Sequence, residues 1–148
     1  MSAENRSHVE NFGVPWENDY GYVQAIQRGD TIYVSGQVSH RGSEHELVHA
    51  APVDENGKVT DFSNMKGQMR QSYANAAELL ARFGASLDDV VEEEIYVLDM
   101  DVAFAVAGPV RKEAYGKDVP QVASTLFGVA GLTFPGQLIE VKLIARVG

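Results

Sequence analysis

The sequence predicts an α/β domain in which one mixed β-sheet is covered on a single face by two α-helices. Three observations carry this. Residues 137–147 alternate, with Ile139, Val141, Leu143, Ala145 and Val147 on one side and Glu140, Lys142 and Arg146 on the other, the two-residue period of a half-buried strand. Met65, Met69, Tyr73, Ala76, Leu80 and Phe83 recur at spacings of four and three, the apolar stripe of an amphipathic helix. The segments follow one another as β-β-α-β-α-β-β, an order that lets both helices lie over one face of one sheet.

A polar lead runs to Trp16. Residues 21–26 and 31–38 are short strand-like runs, and Gln27-Arg28-Gly29-Asp30 between them has the chemistry of a hairpin turn. In the second run Thr31, Tyr33 and Ser35 point one way, Ile32, Val34 and Val38 the other, and Gly36 interrupts. A glycine inside a strand marks a bulge or a place where something approaches the backbone closely. Residues 39–62 are rich in Gly, Asp, Asn and His and read as a long loop. Ser63 or Asn64 then caps the first helix, and Gly84 ends it. Residues 87–100 return to strand character with 95–98 as their centre. Residues 101–115 are Ala-rich and helical, with Gly108-Pro109 restarting or kinking the helix. Residues 124–129 form the strand before the last.

The 148 residues suit one domain, 1–148, with residues 1–15 as its lead. Hydrophobic residues at 45% and charged residues at 22% place it among globular chains. Twelve basic against 21 acidic side chains give a net charge of −9, which repels phosphate backbones and anionic lipid, so neither nucleic acid nor membrane is expected as a partner. The absence of cysteine excludes disulfides, thiolate nucleophiles and Cys-ligated zinc. No segment is apolar enough to suggest a membrane span, and the expected location is the cytoplasm.

His45-Glu46-Leu47-Val48-His49 matches H-E-x-x-H letter for letter. Zinc chemistry needs both histidines on one helical face, a third protein ligand and the glutamate aimed at a metal-bound water. Pro52 leaves little room for that helix, and no third ligand stands at a characteristic spacing. The expectation is a solvated loop without metal or other cofactor. Glu92-Glu93-Glu94 invites a paired-carboxylate reading, yet no histidine or aspartate nearby completes one, and a solvated charge run at a strand entrance is expected.

Residues 68–100, QMRQSYANAAELLARFGASLDDVVEEEIYVLDM, resemble the helix-then-strand core of the Rid family, the reactive intermediate deaminases also called YjgF/UK114 proteins. So do Tyr22-Val23-Gln24-Ala25 followed by Tyr33-Val34-Ser35-Gly36-Gln37, and the closing Leu138-Ile139-Glu140-Val141. The resemblance runs from about Tyr22 to the C-terminus. It implies a chorismate-mutase-like fold and a homotrimer whose three sheets build a central barrel, with clefts for a small-molecule ligand between neighbouring subunits.

By the same resemblance Ser35 and Gly36 line the cleft where a small acid approaches the backbone; as sequence alone they also fit a bulge that curves the strand. Tyr22 corresponds to a cleft tyrosine that packs on the ligand, or is plain cross-strand packing. Glu140 corresponds to the glutamate that positions or activates the attacking water, or is a surface carboxylate. Imine-hydrolysing members carry an arginine that binds the substrate carboxylate. Ungapped counting back from Val129 puts Ser124 at its place, and counting forward from Pro120 puts Val122 there. Neither supplies a charge or a bidentate fork. Arg111 on the second helix is the remaining candidate anchor. Gly108 and Leu126 stand where the family has an asparagine and, in some members, a cysteine. Two functions follow: an enamine or imine deaminase with altered specificity, or a trimer that binds a small molecule without catalysis.

Overall fold

The computed structural model describes residues 7–148. The chain runs β1 (Ser7–Glu10), α1 (Pro15–Tyr20), β2 (Ala25–Arg28), β3 (Thr31–Gln37), α2 (Met65–Ala81), a 3-10 turn (Leu87–Asp89), β4 (Val90–Val97), α3 (Met100–Tyr115), β5 (Ala123–Gly128) and β6 (Ile139–Arg146). All six strands form one sheet in the order β1-β2-β3-β6-β4-β5. Neighbours are antiparallel except β4 and β5. That parallel pair needs a crossover, which α3 supplies. The mixed α/β class and the order of the long elements agree with the sequence expectation. No helix among the described residues is long and apolar enough to cross a membrane.

β1 and α1 are additions to the expected order. β1 is four residues held by backbone pairing to β2, with Val9 as its one apolar side chain, so it has no pattern to read. α1 is a six-residue turn with Pro15 at its start and Gly21 in the left-handed region (φ 88°) at its end. Because Gly21 closes α1, β2 begins at Ala25 rather than at residue 21. The Glu17 carboxylate is buried and accepts the N–H groups of Phe12 and Gly13 at 2.9 and 3.0 Å, which fixes α1 against the chain that enters it.

Alternation along β6 decides the two faces. Ile139, Val141, Leu143 and Ala145 are buried together with Ile32 and Val34 of β3 and Ile95 and Val97 of β4. Met65, Met69, Tyr73, Ala76 and Leu80 of α2 close over them, with Ala103, Ala107 and Val110 of α3. Each large side chain so buried contributes roughly 1.5–3 kcal/mol. α3 runs unbroken through Pro109. Asp99 caps it by accepting the Val102 N–H at 2.9 Å, and Gly116 ends it at φ 67°. Asn64 takes the N-cap position of α2, but its side chain donates to Ala50 O at 3.0 Å rather than capping.

The long 39–62 loop is fastened at its ends. Ser39 O accepts Val48 N–H and Ser39 Oγ donates to Val48 O, both at 2.8 Å. Buried Asn75 donates to Val38 O and His40 O at 2.9 and 2.7 Å. Buried Gln68 donates to His49 O and Gly136 O at 2.9 and 2.8 Å and accepts Leu138 N–H at 2.8 Å.

Glu93 corrects the reading of the triple glutamate. Glu92 is exposed, but Glu93 lies on the helix-covered face with 1% of its surface accessible. A bulge between Val90 and Glu92 sets this register. Glu93 accepts hydroxyl bonds from Tyr73 and Tyr115 at 2.6 and 2.7 Å and pairs with the Arg111 guanidinium. Burial, then the neighbouring carboxylate, pushes both phenols well above their ordinary range, so they stay donors. Deleting one member of such a buried set strands the others. Glu93→Ala is expected to cost about 3–5 kcal/mol in urea unfolding at fixed protein concentration, whereas Glu92→Ala changes stability by less than about 0.5 kcal/mol.

Candidate functional site

β3 and β6 are out of step at one place. Val34 pairs with Leu143 and Gln37 with Val141, so β3 holds one more residue than β6 across the interval, the signature of a bulge. Ser35 anchors it: its N–H donates to Gln24 O and its hydroxyl to Val23 O, both at 2.8 Å. Gly36 then presents bare backbone. A Cβ built there would sit 2.5 Å from Cδ and 2.8 Å from Cγ of Glu140. What approaches the glycine is therefore the Glu140 side chain.

Glu140 is partly buried and has no basic partner among the described residues; Gln137 Nε2 at 3.5 Å is its nearest donor. Burial raises its carboxyl above the ordinary range, and the Gln137 hydrogen bond acts weakly the other way. Around it opens a cleft of about 590 Å³ whose walls include Trp16, Tyr22, Ser35, Gly36, Phe134 and Lys142. Trp16 and Phe134 pack with ring centroids 4.7 Å apart. Tyr22 accepts from Gln24 Nε2 at 3.1 Å, and burial raises its phenol, with a hydrogen bond donated by the Trp16 indole opposing. Behind the wall, buried His40 meets the edges of Phe12 and Trp16 at 4.9 and 5.5 Å and donates from Nδ1 to Gly42 O at 2.9 Å. Burial depresses its imidazole, leaving a neutral spacer.

Tyr22, Ser35, Gly36 and Glu140 thus meet in one cleft. Ser124 stands elsewhere: it is exposed on edge strand β5, in register with Glu93 on the helix-covered side. Arg111 also stands outside this cleft, held by Glu93. The H-E-x-x-H stretch is loop, not helix. His49 has φ 57° and its ring lies against Gly67 of α2, where a Cβ would be 2.7 Å from Cγ. The two imidazoles therefore share no helical face. No group of three potential metal-binding side chains occurs among the described residues. Trp16, Tyr20, Val38, Thr133, Phe134 and Lys142 are lining residues that sequence reasoning does not assign to the site. Lys142 was readable, two residues from Glu140 on one strand face; Trp16 and Phe134 sit on a short helix and a loop that carry no periodic signal.

Residues 17–147 match the endoribonuclease L-PSP family model. The chain belongs to this family. It is 32% identical over 124 residues to the mitochondrial protein mmf1 of Schizosaccharomyces pombe, covering 84% of this chain and 67% of that one. It is 29% identical over 127 residues to the 2-iminobutanoate/2-iminopropanoate deaminase of Mus musculus, covering 86% and 82%. A crystal structure of a YjgF/YER057c/UK114 family member from Mycobacterium tuberculosis superposes with TM-score 0.75 at 25% identity, over 96% of this chain and 100% of that one. The family fold is therefore the fold of this chain.

Gly36 separates site geometry from stability. The atoms a Gly36→Ala methyl meets are the far end of one side chain, so the strand stays and the Glu140 carboxylate moves. The expected stability change is within about 1 kcal/mol, with Glu140 in a new rotamer by crystallography. Gly136→Ala is the contrasting case. Its Cβ meets the Ala51 carbonyl at 2.6 Å with φ at 78°, and the expected loss is roughly 1–3 kcal/mol.

Proposed function

We propose that the chain is an imine or enamine deaminase acting on a small reactive metabolite in a cleft completed by a neighbouring copy of itself. The observation that carries this reading is the Glu140 carboxylate, folded against the Ser35–Gly36 bulge in an aromatic-walled cleft and in no ion pair among the described residues. A half-desolvated carboxylate of raised pKa suits a general base. In the proposed reaction Glu140 takes a proton from water as the oxygen adds to the C=N carbon. That proton passes to nitrogen to give the carbinolamine; Glu140 then takes the hydroxyl proton and hands it to nitrogen as the C–N bond breaks, leaving a carbonyl compound and ammonia. The deaminase name carried by the mouse relative supports the reaction class.

Homotrimeric assembly fits the uncovered sheet face, where Tyr33 and Phe127 remain 46% and 39% exposed beside Lys142 and Glu92. It also offers edge strand β5, with Ser124, a route to another subunit's cleft. Light scattering should give three times the 16.1 kDa chain mass; a monomer overturns the shared cleft.

Substrate specificity is proposed to have shifted from simple 2-imino acids. Ser124 donates one hydrogen bond where a guanidinium would give two and a charge, and Arg111 is committed to Glu93. Turnover of 2-iminopropanoate, followed as ammonia release, should therefore be weak. Glu140→Gln should lower any imine hydrolysis by about 10²–10⁴-fold, and Ser124→Arg should raise it for 2-imino acids. Wild-type turnover at the rate of arginine-bearing relatives overturns the shifted specificity. A Glu140→Gln variant of full activity overturns the deaminase reading.

pH gives a further check. The base must be ionised, and burial raises its pKa, so the acid limb of kcat/KM should fall above the ordinary carboxylate value of 4.5. Gln137 stabilises the charged form, so Gln137→Leu should move that limb higher still.

A further inference from the structure

We propose that this cleft selects a cationic ligand, a protonated imine or an alkylammonium without a carboxylate of its own. This rests on the deaminase reading for what happens to the ligand, but not for how it is held. Four aromatic side chains line the cleft: Trp16, Tyr20, Tyr22 and Phe134. They come as two contacting pairs, Trp16 with Phe134 at 4.7 Å and Tyr20 with Tyr22 at 5.7 Å. Tyr20 stands 85% exposed at the mouth. Aromatic faces carry negative quadrupole charge and attract a cation within about 6 Å of the ring centre. The carboxylate on the same lining, Glu140, has no ion pair among the described residues.

Lys142 is the cation on the lining, and acidic residues flank it on the same sheet face. It lies directly across the sheet from Glu94, and Glu92 and Glu94 share its shallow hollow on the same face. Three carboxylates, Glu92, Glu94 and Glu140, thus share the sheet face with this one lysine, and a carboxylate entering here meets more acidic than basic groups. A cation meets aromatic faces and an unpaired acid. For an imine the selection has chemical sense: protonation at nitrogen makes the C=N carbon the better electrophile, and this cleft stabilises that protonated form beside the base.

Trp16 is the single tryptophan of the chain, so its fluorescence reports the cleft alone. The full-length protein is titrated with choline, with its neutral carbon isostere 3,3-dimethylbutan-1-ol, and with 3,3-dimethylbutanoate. Choline should perturb Trp16 emission saturably, the alcohol should bind roughly tenfold more weakly, and the carboxylate should not saturate. Tyr22→Leu and Glu140→Gln should each weaken choline by about tenfold, while Tyr22→Phe, which keeps the ring, binds as wild type. Equal binding of choline and the alcohol overturns the proposal, since only apolar contact remains. Tightest binding of the carboxylate overturns it in favour of Lys142 as the anchor. Choline binding without hydrolysis of any imine would remove the deaminase reading and leave this one standing. Hydrolysis with a preference for carboxylate-bearing imines would do the reverse.

Discussion

β6 lies between β3 and β4, and its strict two-residue alternation is the constraint on which everything else rests. Each odd residue from Ile139 to Ala145 is buried beneath the helices, and each even residue is committed to the opposite face. A one-residue slip would put Glu140 and Lys142 into the core and Val141 and Leu143 outside, so the register is strongly specified. The bulge in β3 works because β6 does not share it. An extra residue opposite a regular strand leaves a gap in the ladder at Gly36, and the Glu140 side chain fills it. The same device curves the sheet and bends a carboxylate into a cleft.

How far the sequence could be read follows from what kind of signal each part carries. β6 and α2 declare themselves by periodicity over many residues. Glu140 and Gly36 were visible as single oddities, a charge and a glycine in strands, though their contact joins residues more than a hundred positions apart. Glu93 is hidden in sequence because three consecutive glutamates look solvated, and its partners Tyr73, Arg111 and Tyr115 lie 18 to 22 residues away on two helices. Nothing local shows that two phenols and a guanidinium converge on it. β1 and α1 were hidden for a plainer reason: elements of four and six residues are too short for a period to show. The aromatic wall was lost with α1, since Trp16 and Tyr20 have a role only once that turn is set against β2.

Charge is handled in opposite ways on the two sides of this sheet. On the helix side Glu93 is wholly buried and fully satisfied, with two hydroxyl donors and an arginine. Buried carboxylates of this kind hold an architecture together because losing any one partner is costly. On the other side Glu140 is only partly buried, and among the described residues Gln137 at 3.5 Å is its one side-chain partner, which suits the base proposed for it. Arg111, taken from sequence as a candidate ligand anchor, belongs to the first arrangement. The packing of α3 onto β4 thus requires a cation that the cleft does not receive.

The long loop after β3 carries one more consequence. Its neck is closed by the paired Ser39 and Val48 and clamped to α2 by Asn75 and Gln68, while the stretch from Arg41 to Glu46 projects into solvent. Closing entropy rises only slowly with the length of such a loop, and its ends are fixed independently of its tip. The tip from Arg41 to Glu46 is therefore where the chain can change in length or sequence at least cost to the sheet, whereas Val48 and His49, the second half of the His-Glu-Leu-Val-His string, belong to the fastened neck.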